Sequence, residues 1–259
     1  MNELLDLDRY PLDRPDSQAL AELVIESRQA LKAHGMFNLE GLVRPAPVAH
    51  AALELVPRFE QGHRHERWHN VYFDDDIPVT ANHPALTRFH TTHRTLCADQ
   101  IEDSIVSRIY EWPPLAAFIA AVLERPRLYL MDDPLARINV MEYGAGETLN
   151  WHFDRSRFTT TLLLQAADEG GEFEYMSDLR GDDDPNYEGV GRFLRDHAGA
   201  RVNPLTPGTL NVFAGRHTLH RVSTVRGDHS RIVAVFSYYE KPGVQFSGAE
   251  RIGFYGRAS

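Results

Sequence analysis

The chain has 259 residues, 42% of them hydrophobic and 25% charged, the balance of a soluble globular protein with a substantial buried core. Its net charge is -10 and its basic residues are scattered rather than gathered into a stripe, which argues against nucleic acid and anionic membrane surfaces as partners. One cysteine, Cys97, allows no internal disulfide, and neither a signal-like start nor a run of roughly 20 apolar residues is present, so a cytoplasmic protein is expected.

Ser17 to His34 has apolar residues at helical spacing (Leu20, Leu23, Val24, Ala30, Leu31), with Gly35 as its stop signal. A strand-like run, Met36 to Leu39, follows. Further helices are predicted over about Pro47 to Arg58, around Ala85 to Ala98, and from Pro113-Pro114 through Val122, where proline suits the first turn. The period then changes. Arg137 to Tyr143, Phe158 to Gln165, Glu172 to Met176, Thr209 to Phe213, His220 to Val225 and Ile232 to Tyr239 are β-rich runs separated by Gly, Pro, Asn and Asp clusters. Asp178 to His197 is an acidic insertion, read as a surface loop with a short helix and as a candidate lid. No linker divides the chain. The expectation is one domain, mainly β with supporting α: helical support over about 1–130, a β core over about 137–243 and a tail over 244–259. Helices followed by short strands predict a barrel or sandwich with the N-terminal helices packed on it.

Trp151-His152-Phe153-Asp154 is the most informative stretch. On extended backbone, an imidazole and a carboxylate two positions apart project to one side and can grip one metal ion. A lone histidine is usually structural, and a lone aspartate usually belongs to a turn. Here the pair follows a strand and a glycine turn and precedes the β run Thr159 to Leu164. His220, at a strand start, is the preferred distal ligand, and His217 the fallback. Two histidines and one carboxylate on one face, with the opposite face open, are the ligand set of non-haem Fe(II) oxygenases. Arg231 opens the next strand eleven positions after His220, across a loop read as closing a hairpin. Its guanidinium can clamp a carboxylate with two hydrogen bonds.

H-x-D, a distal histidine and an arginine about ten residues later resemble the Fe(II)/2-oxoglutarate-dependent oxygenase superfamily over about residues 137–243. The resemblance implies a double-stranded β-helix (jelly-roll, cupin-like). It also implies Fe(II) on His152, Asp154 and His220, 2-oxoglutarate as co-substrate with its far carboxylate on Arg231, and O2. Leu149 to Asp154, Gly170 to Tyr175 and Arg251 to Arg257 more narrowly resemble the bacterial halogenases of free amino acids and their hydroxylase relatives. The halogenases replace the ligating carboxylate by glycine to admit chloride, whereas this chain keeps Asp154. Hydroxylation of a small free amino acid is therefore implied, with desaturation or cyclisation needing the same ligands.

Substrate contacts are sought at Arg67, His69, Asn70, Arg155, Ser237 and Tyr255, for each of which an ordinary surface or core role is equally open. A cation at Arg155, if it points inward, would disfavour a basic substrate side chain. A homodimer is compatible with the sequence. A cupin-like metal isomerase or lyase, and a non-catalytic jelly-roll binding module, remain alternatives.

Overall fold

A computed structural model describes residues Met1–Ser259. In chain order the regular elements are α1 (Gln18–His34), β1 (Met36–Leu39), α2 (Pro45–Leu55), β2 (His63–His69), β3 (Phe89–Leu96), α3 (Ile105–Tyr110) and α4 (Pro113–Val122). There follow β4 (Tyr129–Leu130), β5 (Ile138–Tyr143), β6 (Leu149–His152), β7 (Thr159–Gln165), β8 (Phe173–Met176) and α5 (Tyr187–Asp196). The chain ends with β9 (Arg201–Asn203), β10 (Leu210–Phe213), β11 (Leu219–Val222), β12 (Arg231–Phe236), β13 (Tyr238–Tyr239) and α6 (Gly248–Tyr255). No helix is long and apolar enough to cross a membrane.

A seven-stranded sheet in the order β1-β10-β7-β12-β5-β3-β2 faces a four-stranded sheet in the order β6-β11-β8-β9, the double-stranded β-helix expected. Alternation divides the larger sheet chemically. One face presents Leu39, Leu210, Val212, Leu162, Ala234, Val140 and Leu96, which join α2, α3 and α4 in a single 35-residue hydrophobic cluster. The other face presents Asn211, Thr161, Met141, Tyr143, Thr95 and Arg231 toward the smaller sheet. The largest dry core therefore lies between helices and sheet, and the interior between the two sheets combines polar groups with two small apolar clusters.

The ends of α1 follow their chemistry. Ser17 Oγ accepts a hydrogen bond from the Leu20 amide at 3.2 Å, and Gly35, at φ 75°, closes the helix onto the Leu31 carbonyl. A side chain on Gly35 would also approach Ser177 Cβ to 2.7 Å.

Three expectations are corrected. The helix read around Ala85 to Ala98 is a short 3-10 turn, Pro84–Leu86, followed by β3. The β-branched Thr91, Thr92 and Thr95 suit a strand, and pairing with β2 and β5 overrides helix propensity. β2, with the sequence HRHERWH, lacks apolar alternation because it is an edge strand over a polar interior. The first half is thus not purely helical. Finally, β11 and β12 belong to different sheets, so the loop from His220 to Arg231 is a crossover rather than a hairpin.

The candidate lid is docked. Val190 and Phe193 of α5 pack with Trp151, Phe153, Val71 and Leu219 in a second hydrophobic cluster, behind the strands that carry the histidines. α6 was unanticipated in the tail; Ser247 and Glu250 form a reciprocal capping box at its start.

Candidate active site

β6 and β11 pair antiparallel with His152 directly opposite His220, which brings the two rings to a centroid separation of 4.2 Å. Each ring is locked by its own strand. His152 Nδ1 donates to the Asn150 carbonyl at 2.8 Å, and His220 Nδ1 to the Thr218 carbonyl at 2.9 Å. A carbonyl only accepts, so both Nδ1 atoms carry the proton and both Nε2 lone pairs are free to ligate. Asp154, just past the end of β6, places Oδ1 3.3 Å from His152 Nε2 and 3.5 Å from His220 Nε2. Metal bonds of about 2.1 Å at right angles separate ligand atoms by about 3.0 Å, so this triad fits an octahedral face. The three donor atoms lie within 4.8 Å of one another. The fallback His217 is a loop residue whose Nε2 meets Asp182 Oδ1 at 3.0 Å, outside the triad.

Electrostatics favours the ligating forms. Burial alone would raise the Asp154 carboxyl, but the imidazoles of His220 and His152, to the extent that either is protonated, and the Thr159 hydroxyl hold it well below the carboxylate range. Burial lowers His220 to about 4, assisted by the neighbouring His152, so it stays neutral. Asp154 is also fixed mechanically. Its Oδ2 accepts from Thr159 Oγ1, its amide donates to the Gly215 carbonyl at 3.1 Å, and Arg180 donates to its own carbonyl at 3.3 Å while stacking on Phe153. Gly215 must lack a side chain, because a Cβ there would collide with Asp154 Oδ2 and Thr159 Oγ1. Gly215→Ala is expected to weaken Fe(II) binding on the order of ten-fold or more, read by anaerobic metal titration.

Arg231 lies at the start of β12, 4% exposed, with no carboxylate partner and its Nε unsatisfied. Burial lowers its guanidinium to about 10, while the adjacent Tyr143 favours the charged form. A buried cation without a counter-charge is a receptor for an anion.

The six candidate substrate contacts divide. Buried polar groups need partners, and four are engaged within the protein. His69 uses both ring nitrogens, on the Asn70 carbonyl and Thr91 Oγ1, and its ring stands 6.4 Å from His152. Asn70 holds the turn through Asp74; Ser237 Oγ donates to the Ala136 carbonyl; the Tyr255 hydroxyl donates to Asn139 Oδ1. These four side chains are held by partners within the protein, and none of them lines the cavity beside Asp154. Arg67 is exposed and stacks over Phe73 at 5.2 Å. Arg155 pairs with Glu250 at 2.8 Å, so its charge is partly balanced.

A cavity of about 480 Å³ opens beside Asp154, lined among others by Phe73, Arg155, Arg180, Asp182 and Arg216. Phe73 has an unusual φ of 55° and sets its ring edge-on to His152 at 5.6 Å. A larger depression near His83 and Glu188 touches none of the triad. Sequence reading missed Tyr143, His93, Thr159, Arg180, Phe73 and Gly215. Only Thr159, close after the H-x-D, left a local trace.

Two further histidines line the interior. Burial holds His69 at about 4 and His93 at about 3, so both are neutral in the fold, whereas an ordinary imidazole titrates at 6.5. Because the folded values are depressed, this stability is complete above about pH 6.5 and is lost as pH falls toward 4 and then 3. Each group contributes a slope of up to about 1.4 kcal/mol per pH unit in that window. Thermal denaturation of the metal-free protein is expected to be flat above pH 7 and to fall steadily below 6.5.

The family profile described as Halogenase D matches residues 21–247. An oxidoreductase of the 2OG-Fe(II) oxygenase family from Burkholderia pseudomallei superposes with a TM-score of 0.51 at 16% identity, covering 85% of this chain and 92% of its own. A Pseudomonas putida prolyl-4-hydroxylase gives 0.51 at 14%, covering 82% and 97%. The non-haem α-ketoglutarate-dependent carbocyclase SnoK from nogalamycin biosynthesis gives 0.57 at 13%, covering 87% and 89%. No curated protein matches the chain. At such identities the structures establish a shared fold, while the family match spans most of the sequence. The chain belongs to the halogenase D family; it shares the fold of solved 2OG-Fe(II) oxygenases and carries a His-Asp-His set able to hold a metal ion.

Proposed function

We propose that this oxygenase hydroxylates an unactivated C–H bond of a small substrate, a free amino acid, rather than chlorinating it. The observation that carries this reading is Asp154. Its Oδ1 faces both Nε2 atoms and so takes the coordination position that a halide would need. Iron with 2-oxoglutarate and O2 supplies the oxidising power: one oxygen atom enters the C–H bond as a hydroxyl, and the co-substrate leaves as succinate and CO2.

The remaining work belongs to the chain. His152, Asp154 and His220 hold the metal on one side and leave the other open. Arg231 binds the far carboxylate of 2-oxoglutarate, neutralising the buried cation. Phe73 sits edge-on to His152, while Arg155, Arg180, Arg216, Asp182 and Asp183 line the cavity, with Arg216 3.8 Å from Asp182. Both signs of charge around one small cavity suit a zwitterion. Arg67, stacked on Phe73, adds a cation on the same side.

The test is incubation with Fe(II), 2-oxoglutarate, O2 and chloride across a panel of amino acids, with products identified by mass. Succinate release coupled to a gain of one oxygen is expected. A chlorinated product would overturn the reading; so would a desaturated or ring-closed one. We further read the chain as one folding unit, because the hydrophobic cluster joins Leu5 and the helices to β12 and Tyr238; calorimetric unfolding in two separated transitions would contradict this.

A further inference from the structure

The inward face of the larger sheet carries a polar row of which the site above uses only one end. Register places Arg231 of β12 opposite Tyr143 of β5, and His93 of β3 opposite His65 of β2. Pairing of Arg94 with Glu142 brings His93 alongside Tyr143, with ring centroids 5.4 Å apart, and the His65 ring lies tilted against His93 at 4.8 Å. Arg231, Tyr143, His93 and His65 therefore run side by side across four strands.

The first three are almost fully buried, at 4%, 1% and 4% exposure. Arg231 Nε and His93 Nδ1 have no partner, and the Tyr143 hydroxyl reaches only Met141 Sδ at 3.4 Å, a weak acceptor. Unpaired groups are rare in an interior, and a ligand that pairs them is one physical reason for their presence. A carboxylate offers about four lone-pair sites: a guanidinium fork fills two, leaving one each for a phenol and an imidazole N–H. Its single negative charge matches the single cation of the row, since His93 is neutral.

This inference rests on the 2-oxoglutarate reading above. We propose that His93 donates a hydrogen bond to the far carboxylate of 2-oxoglutarate beside Arg231 and Tyr143, with His65 as the positioning residue packed behind it. The chemistry selects a keto acid with a second carboxylate over one without.

The experiment is anaerobic titration of the Fe(II)-loaded protein with 2-oxoglutarate and, separately, pyruvate, following the visible charge-transfer absorption and, in parallel, the heat of binding. Wild type is expected to bind 2-oxoglutarate far more tightly than pyruvate. His93→Phe, which keeps a ring but no N–H, should weaken 2-oxoglutarate binding about ten-fold and leave pyruvate unchanged. His93→Gln, which restores an N–H, should recover part of the loss, and Tyr143→Phe should resemble His93→Phe. Unchanged 2-oxoglutarate binding in both His93 variants, with Arg231→Gln still impaired, overturns the role of His93 alone. Unchanged binding in Arg231→Gln as well overturns the co-substrate reading itself. Equal losses for both keto acids would assign His93 to the metal side and also refute the proposal. The two His93 variants differ in size and polarity, so a folding defect in one leaves the other to decide.

Discussion

Arg231→Met should stabilise the ligand-free protein and at the same time abolish tight binding of 2-oxoglutarate. The two effects have opposite signs and one cause. Arg231 is a buried cation with no carboxylate in contact, and burial depresses its guanidinium to about 10. Replacing an uncompensated buried charge with an apolar chain of similar length removes a desolvation penalty, worth roughly 1–3 kcal/mol here. For a chain of this size, that corresponds to a rise of about 2–6 °C in melting temperature. Binding changes the other way. Without the guanidinium, the far carboxylate of the co-substrate would be buried without a counter-charge, and a charge-assisted bidentate contact is lost; a fall in affinity on the order of 100-fold or more follows. Thermal denaturation without ligands and calorimetric titration with 2-oxoglutarate read the two halves separately. A destabilised variant would mean that Arg231 has an unseen partner within the protein.

The second large effect belongs to Asp154. Asp154→Gly removes the only negative charge of the triad and the oxygen lying between the two Nε2 atoms. Two neutral imidazoles remain, and hydroxylation is expected to fall on the order of 1,000-fold, with Fe(II) affinity falling on the order of 100-fold. Asp154→Asn separates charge from shape. It keeps the side-chain volume and an oxygen for the metal but loses the charge, so it should bind iron more weakly than wild type and more tightly than Asp154→Gly. Metal titration together with product yield checks both. Equal activity in wild type and Asp154→Asn would remove the carboxylate from the mechanism.

How much of this was legible beforehand depends on what each residue answers to. His152, Asp154 and His220 could be read because strand alternation and a two-residue spacing fix where their side chains go. The structure adds that β6 and β11 set the two histidines directly opposite each other. Arg231 was singled out by its offset from His220, although its loop crosses between sheets instead of closing a hairpin. β2 and β3 were not legible. Their residues face a polar interior, so the apolar alternation that betrays most half-buried strands is absent, and Ala85 to Ala98 mimicked a helix.

Tyr143 and His93 were invisible for a different reason. Their place beside Arg231 is set by register across three strands far apart in sequence. Gly215 escaped because its importance is the space it leaves for Asp154, which no local pattern encodes. His69, Asn70, Ser237 and Tyr255 were nominated by residue type. Whether a polar side chain meets a substrate or its own backbone is decided by burial and partners, which only the folded structure supplies.

The most direct test is a crystal structure grown anaerobically with Fe(II), 2-oxoglutarate and an amino acid that supports turnover. One metal ion should be bonded to Nε2 of His152, Nε2 of His220 and a carboxylate oxygen of Asp154, with the far carboxylate of 2-oxoglutarate on Arg231. A metal held by other side chains, or a co-substrate whose far carboxylate lies away from Arg231, would contradict the account.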